Sequence, residues 1–127
     1  MTIVVGYVAR PEGRAALDAA VEEARRTGER LVVVTVVRAA SADSEVPSDD
    51  LEQRLAGEPF PHVVRQGRGD RVPADALLHA VTEYRARLLV IGMRPRPMMG
   101  RLLPGATAQQ LVLESPCDVL TVRGRVR

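Results

Sequence analysis

The stretch IGMRPRPMMGRLLPGATAQQL, residues 91–111, joins an apolar strand-like run to a helix-like run and carries three glycines, three prolines and three arginines. A glycine-bearing loop that leaves a strand and opens a helix can hold a phosphate. Glycine lets backbone amides approach an anion, and a helix presents free N–H groups at its start. Arg94, Arg96 and Arg101 can add charge-assisted hydrogen bonds. Pro95, Pro97 and Pro104 work against this chemistry, because proline has no N–H to donate. The competing reading is a loop of solvated arginines, with Met98 and Met99 covering the edge of a sheet.

Other reactive side chains are scattered. His62 and His79 are single and far apart, and no His/Cys/Asp group has metal-ligand spacing. Cys117 follows Pro116 at the start of an apolar run, the setting of a packed thiol rather than a nucleophile. No Ser-His-Asp or Cys-His grouping is visible, so no catalytic residue and no metal ligand is assigned. GxGxxG follows neither the first nor the fourth strand-like run, and GxxxxGK followed by Ser or Thr is absent, which excludes the dinucleotide and P-loop readings. GRGD (67–70) reads as a turn, and Asp43, Glu45, Asp49 and Asp50 as a solvated loop.

The elements that must position the 91–111 loop alternate in kind. IVVGYV (3–8) and LVVVTVV (31–37) are β-branched runs without polar alternation, as expected of strands buried on both faces. Between them, residues 11–27 read as an amphipathic helix, with Pro11 in its first turn, Leu17, Ala20, Val21 and Ala24 on one face, and Gly28 as its stop. A short helix is expected from about Asp50 to Ala56. HVVRQ (62–66) reads as a third strand near an edge. A helix over 73–86 turns Leu77, Leu78 and Val81 inward. LLVIG (88–92) is the fourth strand, a helix covers about 105–115, and DVLTV (118–122) is the fifth strand before a frayed RGRVR tail. This alternation predicts βαβ units, hence an α/β fold with a parallel sheet and helices on both faces. In such sheets ligands sit beyond the carboxyl ends of the strands, where strand order reverses. Gly6–Val8 and Gly92 mark those ends.

The chain has 127 residues, which predicts a single domain over 1–127 with a sizeable core. Aromatics are 2% of the chain, so the core is aliphatic, and the exposed rings that single-stranded nucleic acid stacks on are missing. All 18 basic residues are Arg, yet the net charge is +2 and the acids are interspersed, so no basic stripe forms. One cysteine excludes an internal disulfide and fits a reducing compartment. Neither a charged leader nor a membrane-length apolar run is present, so the expectation is a cytoplasmic protein without membrane or nucleic-acid partners.

IVVGYVARPEGRAALDAAVEEA, LVVVTVV, ADALLHAV, LLVIGMR and above all PGATAQQLVLESPCDVLTVR resemble the universal stress protein family along the length of the chain. The resemblance implies a three-layer α/β/α sandwich, Rossmann-like in the manner of the adenine nucleotide alpha hydrolases, with a five-stranded parallel sheet of order 3-2-1-4-5. Nucleotide-binding members carry G-x2-G-x9-G followed by Ser or Thr. Here the spacing persists as Gly92, Pro95, Gly105 and Ala106, with Thr107 one residue on. Val8 stands where members often place an Asp that contacts the nucleoside, and Val36 and Ile91 fall on positions that flank an adenine. If binding is retained, the implied site is Gly6, Tyr7, Val8, Val36, Ile91, Gly92, Arg94, Gly105, Ala106 and Thr107, and the ligand is ATP or AMP. The resemblance also implies a homodimer through the last strand, with Val119, Leu120, Thr121 and Val122 in contact, and leaves room for an unidentified protein partner. The expected function is a non-enzymatic stress-response binding module with weak or absent ATP binding. The alternative is an ATP- or AMP-binding stress protein with slow nucleotide hydrolysis.

Overall fold

The computed structural model describes residues 1–8, 10–35, 48–66, 73–93 and 106–124, with backbone alone at 48–50, 66, 73 and 106–108. The elements in chain order are β1 (Thr2–Tyr7), α1 (Pro11–Thr27), β2 (Arg30–Thr35), α2 (Ser48–Leu55), β3 (His62–Gln66), α3 (Pro73–Glu83), β4 (Ala86–Met93), α4 (Ala106–Glu114) and β5 (Asp118–Arg123). The five strands form one parallel sheet of order β3-β2-β1-β4-β5. The expected sheet is therefore the observed one, with HVVRQ on an edge.

Alternation along the central strands divides the core into two. Ile3, Val5, Tyr7, Leu31, Val33 and Val90 meet Leu17, Val21, Leu51, Leu55 and Phe60 on the α1/α2 face. Val4, Val32, Val34, Leu89 and Ile91 meet Ala74, Leu77, Ala80, Val81 and Leu111 on the α3/α4 face. A strand covered on both sides needs apolar residues at every position, which is why β1 and β2 read as unbroken hydrophobic runs. Each buried Val or Leu contributes about 1.5–3 kcal/mol relative to exposure.

α1 shows how local signals set an element. Pro11 fixes φ at its first position, and Glu12 opposes the positive end of the helix dipole while Arg25 and Arg26 sit at the negative end. Gly28 ends it in the left-handed region at φ 73°, donating its N–H to the Ala24 carbonyl at 2.7 Å. Gly13, Ala16, Leu17, Ala20, Val21 and Ala24 form its buried face.

Several boundaries differ from the sequence reading, three of them with a visible cause. β1 ends at Tyr7, so Val8 belongs to the turn into α1. α3 stops at Glu83, because Tyr84 and Arg85 turn the chain, Arg85 at φ 50°, and Ala86 already pairs with Thr2. The tail is held at Gly124, which is buried and whose N–H reaches the Met93 carbonyl at 3.4 Å.

Candidate functional site

The register of the sheet creates a fork. β1 pairs with β4 only as far as Val5 and Val90. Beyond that level β1 continues beside β2 to the Tyr7–Thr35 pair, while β4 continues beside β5 to the Met93–Arg123 pair. The two strands part at their carboxyl ends, the place where open α/β sheets take ligands.

Backbone enters the fork from the α1 side. A Cβ placed on Gly92 would lie 2.1 Å from the Glu12 carbonyl oxygen, and one on Gly124 would lie 2.7 Å from the Glu12 nitrogen. A Cβ on Gly13 would lie 1.9 Å from the Val8 carbonyl oxygen, which also accepts the Arg10 N–H at 2.8 Å. The first turn of α1 thus rests directly on the ends of β4 and β5 and on the turn after β1. None of these glycines adopts positive φ, so they are required for space and not for conformation.

The α3/α4 side of the fork is filled by side chains. A Cβ on Gly6 would lie 3.0 Å from Leu77 Cδ1, so this glycine accommodates a leucine of α3. Ile91 is 5% exposed and packs in the same core as Leu111 of α4. Tyr7 is buried in the opposite, α1/α2 core. The structure thus brings Val8 and Gly92 together around the first turn of α1, sets Gly6 and Ile91 on the other face, and turns Tyr7 away from them. Ala106 and Thr107 open α4. Val36, Arg94 and Gly105 lie outside the described residues, as do Pro95, Arg96, Met98, Met99, Gly100 and Arg101.

Titrating and nucleophilic groups gather elsewhere. Glu29 and Glu58 sit at the amino end of the sheet, each held below the usual carboxylate range chiefly by hydrogen bonds from Arg87 and Arg25 respectively. Cys117, half-buried before β5, has Ser115 Oγ 3.4 Å from its sulfur and donates its N–H to the same oxygen at 3.3 Å. His62 opens β3, with Nδ1 3.4 Å from the Phe60 carbonyl oxygen, and His79 is exposed on α3. Among the described residues no group of His, Cys, Asp and Glu could hold a metal ion, and no helix is long and apolar enough to cross a membrane.

Sequence reasoning missed Glu12, Gly13 and Gly124 as parts of the fork. The available signal was a glycine inside the first turn of a helix, which costs helix propensity and so implies a packing reason.

Comparison with known proteins places this geometry. The model of the universal stress protein family matches residues 1–123. A universal stress protein of Mycolicibacterium smegmatis is 40% identical over 129 residues, covering 95% of this chain and 96% of that protein. A universal stress protein of Mycobacterium tuberculosis is 34% identical over the whole chain, which spans 50% of that relative. Among solved structures, a universal stress protein from Archaeoglobus fulgidus has TM-score 0.69 at 26% identity, covering 96% of this chain and 98% of that one. A universal stress protein in complex with cAMP has TM-score 0.72 at 23% identity, covering 98% of both chains.

Proposed function

Because the chain belongs to the universal stress protein family, we propose that it works as a non-enzymatic, homodimeric binding module of the cytoplasmic stress response that holds adenine nucleotide weakly or not at all. The observation that carries this reading is the fork itself. Its α1 side is occupied by backbone packed on Gly92 and Gly124, and its other side by Leu77 and Ile91. Val8 follows β1 where a carboxylate would otherwise meet a ribose hydroxyl.

A nucleotide held here would set its phosphates against Gly92, Arg94, Gly105, Ala106 and Thr107, with Val8, Val36 and Ile91 near the base. Pro95 removes one amide donor, Ala106 one hydroxyl and Val8 one carboxylate. Hydrogen bonds to charged groups contribute about 1.5–3 kcal/mol and neutral ones less. Together the three losses weaken affinity by about two to four decades. The solved relative in complex with cAMP makes adenine nucleotides the class to test.

Calorimetry with ATP, ADP, AMP and cAMP tests the reading on the wild type and on a Pro95→Gly, Ala106→Ser double variant. Weak or absent binding in the wild type and a gain in the variant are expected. Low-micromolar ATP binding by the wild type, with no gain in the variant, would overturn it. Phosphate release from ATP by the purified protein would instead favour slow hydrolysis.

The dimer reading rests on β5, which is an edge strand with Leu120 exposed. Unpaired edges of this kind need covering. The same reading includes an unidentified protein partner bound by the dimer.

A further inference from the structure

β4 is one residue longer than its pairing with β1 requires. Thr2 pairs with Ala86, and Ile3, the next residue of β1, pairs with Leu88, so Arg87 is passed over. The two faces of the sheet record the same extra residue. Leu88 packs against the α1/α2 core and Ala86 against the α3/α4 core. In an unbroken strand, residues two apart share a face, so the alternation breaks between them. Arg87 therefore occupies a β-bulge, a feature rare in parallel pairs that can re-aim a side chain.

Its guanidinium is aimed at two carboxylates. Nε donates to Glu29 Oε1 at 3.0 Å and Oε2 at 3.1 Å, and Nη2 donates to Glu29 Oε1 at 2.7 Å and to Glu23 Oε1 at 3.3 Å. Glu29 lies in the turn between α1 and β2, and Glu23 lies on α1, where Arg26 also pairs with it. The Glu29 side chain is 13% exposed, against 65% for Asp18 in its pair with Arg54, so solvent screens the Arg87 clamp less than a surface pair. Strict alternation from Leu88 would send Arg87 to the α3/α4 face, away from α1. The bulge brings it back across β1.

Two regular pairings compete with the bulge. Placing Arg87 opposite Thr2 would turn the guanidinium from both carboxylates. Placing it opposite Ile3 would bring every later residue of β4 one place short. Val5 would then meet Leu89 in place of Val90, and Ile91 would take the place of Gly92 beneath Glu12. A Cβ there lies 2.1 Å from the Glu12 carbonyl oxygen, so isoleucine does not fit. We infer that Arg87 is a positioning residue, whose clamp on Glu29 and Glu23 pins the extra residue outside the ladder and so holds the register in which Gly92 reaches the fork. This role is independent of whether the fork takes nucleotide.

Hydrogen exchange read amide by amide by NMR tests the clamp, on chains whose folding is checked by circular dichroism. Arg87→Ala keeps the extra residue without its anchor, so the amides of Ile3, Leu88 and Leu89 should exchange about tenfold faster than in the wild type. Deleting Arg87 leaves Thr2 opposite Ala86 and Ile3 opposite Leu88 with the alternation restored. The same amides should then exchange more slowly than in Arg87→Ala. An ordinary surface ion pair predicts the opposite order, because removing a residue from a strand is the larger disturbance. In a Glu23→Gln, Glu29→Gln background, Arg87→Ala should add little. A deletion chain that fails to fold, or that exchanges faster than Arg87→Ala, would overturn the inference. So would an Arg87→Ala effect that persists undiminished in that background.

Discussion

Replacing Gly13 by alanine sets two opposing effects against each other with known signs. In a helix, alanine is favoured over glycine by about 0.8–1.0 kcal/mol, so α1 considered alone predicts a stabilised protein. The structure predicts the reverse. The new Cβ would lie 1.9 Å from the Val8 carbonyl oxygen, where real Cβ atoms essentially never approach within 3.0 Å, and the obstacle is backbone. The first turn of α1 must lift by about 1 Å, and overpacking of this kind costs about 1–3 kcal/mol or more. The expected net result is destabilisation by about 2 kcal/mol. Gly92→Ala gains no helix propensity and meets the Glu12 carbonyl at 2.1 Å, so about 2–3 kcal/mol is expected. Because both variants displace the same turn, the double variant should cost less than the sum of the two. Gly57→Ala is the control: its Cβ would meet nothing within 4 Å, and its effect should stay within about 0.5 kcal/mol. Urea unfolding followed by far-UV circular dichroism at one protein concentration measures all four. A Gly13→Ala variant as stable as the wild type, or more stable, would refute the close seating of α1 on the fork.

Val5→Asp and Val90→Asp each place a carboxylate at a fully buried position of the central strands. Losses of about 4 kcal/mol or more are expected, read as insoluble or uncooperatively unfolding protein, and a soluble, cooperative variant would displace these strands from the core. Glu29 accepts from Arg87 Nη2 at 2.7 Å and Nε at 3.0 Å, and this pairing lowers its pKa. A depressed carboxylate stabilises fully above its unfolded range and loses that contribution as pH falls through its folded value. Glu29→Gln should therefore cost about 1 kcal/mol near neutrality, discounted because Arg87 is partly exposed. Urea titrations should show the gap to wild type closing in acid; a gap that widens in acid would contradict the pairing.

Much of the architecture was legible because it is written in local pattern. Pro11 and Gly28 bound α1 at the residues expected, and unbroken apolar runs marked the strands covered on both faces. The α3–β4 boundary was missed because its turn carries no glycine or proline; an arginine, Arg85, takes the left-handed conformation there. The fork was only half legible. Gly92 reads locally as a phosphate-loop glycine, but the need that the structure reveals is for room beneath Glu12. That need joins residues near positions 12, 92 and 124, and no window along the chain contains all three. Which face each side chain takes at the carboxyl end of β1 depends on where β1 ends. That end falls one residue earlier than the apolar run suggested.

The strand order also has a kinetic consequence. β1 and β2 are neighbours in sequence, but β1 meets β4 only after most of the chain has been made. α1 lies across that seam, packing on β1 and on β4 and β5. Until β4 arrives, part of the apolar face of α1, which includes Leu17 and Val21, has nothing to cover it. Pairings between distant segments close slowly, since loop entropy is lost before contacts compensate. A chain that ends before β4 would therefore expose that face, the condition under which partly folded chains aggregate. A truncated chain ending before β4 at Ala86 should accordingly aggregate where the full chain stays in solution, a difference that light scattering at matched concentrations reads directly.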